Sequence, residues 1–306
     1  MRRGPRKTQG AALRQEAFVQ VPGGRVWCRI FGRDQGVPLL VIHGGPGLTH
    51  DYLEPLNQPG NERPVVFYDQ LGAGKSDRPT DVELWRLQRF VEEVGTVRSE
   101  FCSGEFHLLG HSWGSMVAIE YALTNPWGLV SLILSSPCLS IERYVADSIR
   151  LRDALPPETA RVLQHYDRSE LKKAHPDYIR ALSVYNQFHG CRLDEVPEPI
   201  QRSADGRNTR VTETMWGPPS LTPTGSLKNY DSTERLAQID IPVLLTCGRY
   251  DPATPETTAW YASLFSRGEL LVLEESSHMA HLKQTEDYLS AVRKFLAQSE
   301  AQSRRA

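Results

Sequence analysis

The chain predicts an α/β fold: a mostly parallel sheet covered by helices on both faces, with an inserted, mainly helical cap. Three observations carry this. Apolar runs of strand length alternate with longer stretches of helical periodicity over most of the 306 residues. Several of those runs are apolar throughout, as strands buried on both faces are. From Cys138 to Ser232 the alternation lapses into charged helical patches, broken by Pro156-Pro157, Pro197, Pro199, Pro218-Pro219 and Pro223. The expected division is a flexible N-terminal tail at 1–15, a core at 16–137 and 233–297, the cap at 138–232 and a C-terminal tail at 298–306. With 40% hydrophobic residues the chain is long enough to bury one large core.

In chain order, Glu16 to Val21 and Arg25 to Phe31 read as a hairpin about Pro22-Gly23-Gly24. Val37 to Ile42 is a buried strand that runs into His43-Gly44-Gly45-Pro46-Gly47, and Pro64 to Tyr68 is another. Leu84, Leu87, Val91, Val94 and Phe101 recur at helical spacing. Glu105 to Leu109 is a strand, Ser115 to Leu123 a buried helix and Leu129 to Ser135 the next strand. Beyond the cap, Pro242 to Cys247 and Leu270 to Leu273 are strands, and Tyr288, Leu289, Val292, Phe295 and Leu296 form the apolar face of a last helix.

Composition narrows the function classes. A net charge of −2 and a pI near 6.5 supply no basic field for nucleic acid. No uninterrupted apolar run approaches the ~20 residues of a spanning helix, and the charged start, Met1 to Lys7, is followed by no apolar stretch of a secretory signal. Cys28, Cys102, Cys138, Cys191 and Cys247 are odd in number and form no C-x-x-C pair, which points to reduced thiols in a cytoplasmic protein.

The chemistry centres on Gly110-His111-Ser112-Trp113-Gly114, a G-x-S-x-G string placed directly after a predicted strand. Such a serine sits on a sharp strand-to-helix turn that lifts its hydroxyl clear of the backbone. A serine hydroxyl is a weak nucleophile at neutral pH and needs a neighbouring base. Asp251 and His278 follow Ser112 in that order, each just after a predicted strand, where a parallel sheet places its functional loops. His278 is expected to take and return the proton, and Asp251 to fix the imidazole tautomer. The oxyanion needs two backbone donors, and the amides of Trp113 and Gly45 are the candidates.

Each residue has a plainer use. Ser112 would serve as a helix N-cap and Asp251 as a turn residue. His281 competes with His278, which is preferred because it follows the strand more directly. His43 and His111 read as hydrogen-bonding loop residues, and His165, His175 and His189 as surface. Asp69 to Ser76 ends like a phosphate-binding loop, but aspartate stands where that pattern requires glycine. No metal site and no dinucleotide fingerprint is present, so no cofactor is expected.

His43-Gly44-Gly45-Pro46-Gly47, Tyr68-Asp69-Gln70-Leu71-Gly72, Gly110-His111-Ser112-Trp113-Gly114 and Gly248-Arg249-Tyr250-Asp251 together resemble the proline iminopeptidases of the α/β-hydrolase fold, over about residues 16 to 297. The resemblance implies a helical cap over the site, release of an N-terminal residue from short peptides, and Ser112, Asp251 and His278 as the triad. It disfavours dehalogenase and epoxide hydrolase chemistry, whose α/β-hydrolases carry a carboxylate where Ser112 stands. It also implies acidic residues that hold a free amino group; here Pro252 follows the aspartate, and Ser220 stands in the cap segment Met215 to Leu221 where glutamate is expected. An ammonium buried without a carboxylate is costly, and Glu213 or Glu256 are the candidate substitutes. The expected function is therefore a serine hydrolase cleaving an amide or ester of a small molecule or short peptide. A true proline iminopeptidase and a ligand-binding protein with weak turnover are the alternatives. Tyr185, Phe188, Trp216 and Tyr230 are candidate pocket aromatics.

Overall fold

A computed structural model describes residues 13–32, 35–167 and 175–305. Its centre is an eight-stranded sheet: β1 (Leu13–Val21), β2 (Gly24–Gly32), β3 (Leu39–Ile42), β4 (Val65–Tyr68), β5 (Phe106–His111), β6 (Leu129–Ser135), β7 (Val243–Gly248) and β8 (Gly268–Leu273). The spatial order is β1-β2-β4-β3-β5-β6-β7-β8. Strands β3 to β8 run parallel, while the β1–β2 hairpin adds on antiparallel at one edge.

The uniformly apolar strands follow from this arrangement. Successive side chains of a strand point to opposite faces. On β3, Leu40 and Ile42 join the core on one face of the sheet, while Leu39 and Val41 join the core on the other. Val66 and Tyr68 divide from Val65 and Phe67 in the same way on β4. The first core is covered by α1 (Leu87–Phe101) and α2 (Trp113–Ala122), the second by the C-terminal helix α10 (Thr285–Ser303). Helix α2 lies in the middle of the first core and is apolar nearly all round, with only Glu120 less than buried.

Between β6 and β7 the chain leaves the sheet through a narrow neck. Ile141 N–H donates to Tyr230 O and Ser232 N–H to Leu139 O, so the outgoing and returning strands pair there. The excursion carries α3 (Ile141–Asp153), α4 (Pro157–Asp167), α5 (Pro176–Tyr185), α6 (Glu198–Asp205) and α7 (Thr209–Met215). Leu155, Leu163, Tyr178, Tyr185 and Leu221 give it a small core of its own. Helix α8 (Pro255–Ser263) follows β7, and the short α9 (Ala280–Lys283) lies between β8 and α10.

Two expectations differ from the structure, and one element was not foreseen. Residues 1–12 of the expected N-terminal tail lie outside the described residues, but 13–15 already belong to β1, in register with β2 from Leu13↔Gly32 onward. Of the expected C-terminal tail, 298–303 are instead the end of α10, where Ser299 is buried and Glu300 pairs with Arg63 and His107, and 306 lies outside the described residues. A polar sequence hid this because the anchoring groups come from the far end of the chain. The stretch Asp51–Asn61, for which no element was expected, winds as a 3-10 helix around Pro55 and Pro59 and buries Tyr52, Leu53 and Leu56.

Candidate active site

The site lies over the carboxyl ends of β3, β5, β7 and β8, the end of a parallel sheet where loops converge. Ser112 sits between β5 and α2 with φ 54° and ψ −120°, a conformation that L residues rarely adopt. The two motif glycines make that bend feasible. A Cβ on Gly110 would overlap the carbonyl of Gly114, and one on Gly114 would overlap the carbonyl of Ile42 and come within 2.8 Å of that of His43. Helix, elbow and sheet approach here to a distance only glycine allows.

The structure brings together the three residues singled out from the sequence. Ser112 Oγ lies 2.9 Å from His278 Nε2, and His278 Nδ1 lies 2.8 Å from Asp251 Oδ1. Asp251 is fully buried at the end of β7, and its Oδ1 also accepts the amide of Ala253 at 2.8 Å. With Nδ1–H donating to the carboxylate, Nε2 is left to accept the serine proton. His281 is placed elsewhere: it is buried beneath the site, its Nε2 donates to Tyr52 O at 3.0 Å, and burial lowers its pKa to about 4.

The candidate oxyanion donors stand on either side of Ser112. Among the described residues, neither the amide of Gly45 nor that of Trp113, first residue of α2, donates to a protein acceptor. First-turn helix amides have no partner within the helix. The wall behind them is a chain of buried hydrogen bonds. Gly44 N–H donates to Tyr52 Oη (2.6 Å), Tyr52 O–H to His111 Nδ1 (2.9 Å), and His111 Nε2–H to His278 O (3.0 Å). Burial, then the proximity of His278, holds the His111 pKa well below the ordinary value, so the imidazole stays neutral and keeps one donor and one acceptor. His43 Nδ1–H donates to Gly44 O and its Nε2 accepts from Gln70 N–H, while Gln70 Oε1 accepts Trp113 Nε1–H.

The segment that looked like a phosphate loop has a structural use. Asp69 Oδ1 accepts from the amide and ring of His50, and Oδ2 from Lys75 N–H. Burial alone would raise the Asp69 pKa, but the hydrogen bond and charge of His50 bring it below the usual carboxylate range. Among the described residues one set of potential metal ligands occurs, His50, Asp51 and Glu54. Its carboxylates already pair with Arg202, and Glu54 with Arg29 as well.

The cap roofs a cavity of about 320 Å³ above Ser112. It is pinned to both walls of the site. Asp147 of α3 accepts from Thr254 (2.8 Å) and Thr257 (2.5 Å) beside Asp251. Thr212 of α7 donates to Pro46 O and Asn208 N–H to Gly47 O, next to the oxyanion loop. A wide π turn at Asn186–Gly190 meets the histidine loop: the amides of His278 and Met279 donate to His189 O and Gly190 O at 3.1 and 3.2 Å. His189 is accordingly buried, with Nδ1–H on Tyr250 O, and not at the surface as expected.

Residues 37–285 match the family model of the alpha/beta hydrolase fold. The proline iminopeptidase of Heyndrickxia coagulans is 41% identical over 283 residues, covering 92% of this chain and 98% of that protein. This chain belongs to the proline iminopeptidase family of α/β-hydrolases. It is a serine hydrolase. The proline iminopeptidase of Saccharolobus solfataricus is 34% identical over 289 residues, 93% of each chain. The crystal structure of the proline iminopeptidase of Mycobacterium smegmatis superposes with a TM-score of 0.88 at 29% identity, covering 94% of this chain and all of that one. That of VinJ gives the same score and identity over 93% and 98%.

The two positions where the proline iminopeptidase pattern implies acidic residues, Pro252 and Ser220, both line the cavity. Among the described residues no aspartate or glutamate does. Glu213 is exposed and absent from the lining, and Glu256 is exposed and faces Arg150 at 3.6 Å, so neither substitutes. Of the candidate aromatics, Tyr185 and Trp216 line the cavity; Phe188 lies in a separate surface hollow and Tyr230 packs against the core. Tyr144, Asn186 and Arg207 line it without any signal in the sequence, because cap helices meet the core through contacts that no local pattern encodes.

Proposed function

We propose that Ser112, His278 and Asp251 act as a catalytic triad cleaving an amide or ester of a small substrate. The supporting observation is the continuous path of hydrogen bonds Ser112 Oγ to His278 Nε2 to Asp251 Oδ1 at 2.9 and 2.8 Å, on the floor of the cavity. Ser112 Oγ attacks the carbonyl carbon while its proton passes to His278 Nε2. Asp251 stabilises the resulting imidazolium without taking the proton. The amides of Gly45 and Trp113 receive the oxyanion, each worth about two to three orders of magnitude in rate. The imidazolium then protonates the leaving amine or alcohol. Water enters, gives a proton to His278 and releases the acid from the acyl-enzyme.

Pro252 and Ser220 in the lining favour substrates without a free amino group near the scissile bond. A true proline iminopeptidase is the second reading, supported by the 41% identity to a relative of that name. The substrate is taken to be a small molecule or short peptide, handled in the cytoplasm without cofactor. The test pairs a fluorophosphonate probe with proline β-naphthylamide, its N-acetyl form and matched p-nitrophenyl esters. Labelling of Ser112 with hydrolysis of blocked or ester substrates is expected. Strong preference for the free amine would favour the second reading, and absence of both labelling and turnover would refute the triad.

A further inference from the structure

Among the described residues that line the cavity over Ser112, one carries a permanent charge. Arg207, in the turn between α6 and α7, lines it, and among the described residues its guanidinium has no hydrogen-bond or ion-pair partner. Its neighbour in the fold shows what a structural arginine looks like here: Arg202 is engaged by Asp51, Glu54 and Glu198. Asp205, close in sequence, accepts from Gln201 and does not line the cavity. Arg207 is exposed to solvent at the mouth, and the part of it covered by the cap lowers its pKa from the ordinary arginine value. Among the described residues no carboxylate lines the cavity that this cation faces. The guanidinium repels an ammonium and attracts an anion.

We propose that the cavity selects a substrate carrying a carboxylate, held by the guanidinium of Arg207 while Ser112 attacks a second carbonyl of the same molecule. This rests on the reading of Ser112 as the nucleophile. A single guanidinium presents two parallel N–H donors, the geometry of one carboxylate. A phosphate dianion would leave half its charge uncompensated, because no second cation lines the cavity among the described residues. The same feature accounts for the departure at Ser220 and Pro252. A carboxylate at either position would bring into the same cavity a negative charge that repels an anionic substrate.

The carboxylate stands on either the acyl or the leaving-group side of the scissile bond, and the test separates the two. One arm uses p-nitrophenyl half-esters of adipic, pimelic and suberic acids against their methyl esters. The other uses acyl esters of hydroxybenzoic acids against the methyl hydroxybenzoates. In one arm kcat/KM should favour the acid over its methyl ester by about 10- to 100-fold, the value of a charge-assisted hydrogen bond. The preference should shrink with added salt, fall to near one in Arg207→Gln and be partly kept in Arg207→Lys. Because each ratio is taken within one protein, a general loss of activity leaves it unmoved. Equal rates on acids and methyl esters in both arms, or a preference that survives in Arg207→Gln, would overturn the assignment. If the neutral esters are not hydrolysed and the fluorophosphonate probe does not label, it is the reading of Ser112 that fails.

Discussion

Lowering the pH towards 5 should destabilise this enzyme, because its site is built on neutral buried histidines. Burial lowers the pKa of both His43 and His281 from 6.5 to about 4. Burial also depresses His107, His111 and His189. Below pH 6.5 the unfolded chain binds protons at these rings and the folded chain does not. Stability is therefore complete above 6.5 and is lost as pH falls towards 4. At pH 5 a ring shifted from 6.5 to 4 has lost about 2 kcal/mol. His43 and His281 together lose about 4 kcal/mol, a large part of the roughly 5–15 kcal/mol that holds a domain together, and the other three add in the same direction. Urea unfolding followed by tryptophan fluorescence, from about pH 7.5 to 5, measures this directly. His281→Gln, which keeps a donor for Tyr52 O but does not titrate, should remove about half of the pair's contribution. A change below about 1 kcal/mol across this range in the wild type would refute the reasoning, since these groups cannot then be neutral in the fold and charged outside it.

Asp251→Asn should leave the fold intact and lower kcat by about four orders of magnitude, through loss of the correct tautomer; steady-state kinetics on the best p-nitrophenyl ester checks it. Gly114→Ala places a methyl group against the carbonyls of Ile42 and His43. It should cost about 1–3 kcal/mol in thermal unfolding, with about 100-fold lower kcat from displacement of Ser112. Tyr52→Phe removes the hydroxyl shared by Gly44 N–H and His111 Nδ1. A loss of about 1–3 kcal/mol is expected for the unsatisfied buried groups, read as a lower melting temperature.

What the sequence made legible was what local patterns encode. The strands were visible as apolar runs, since both faces are buried. The elbow was visible because Gly110 and Gly114 are steric necessities within five residues of each other. Asp251 and His278 were visible because each follows its strand by only a few residues. Burial of His189 and the placement of Phe188 outside the cavity were not, because they depend on how a π turn meets a loop far away in sequence. The end of α10 looked polar and therefore loose, yet Glu300 is held by Arg63 and His107 from strands and turns assembled long before it in the chain. Arg207 was invisible for the same reason: its importance lies in the charges that are absent around it.

The main chain of His278 is gripped from two sides. Its carbonyl accepts from His111 and from Ser136 in the core, while its amide donates to His189 in the cap. The roof is thus part of the bearing on which the catalytic base is mounted. A lid hinged at the π turn would unseat the imidazole each time it swung, so substrate must pass by some route that leaves that seam closed. For engineering, this makes the cap a poor interchangeable part. Swapping it for a relative's, even one of matching shape, exchanges half of the mounting and puts the alignment with Ser112 at stake along with the substrate preference.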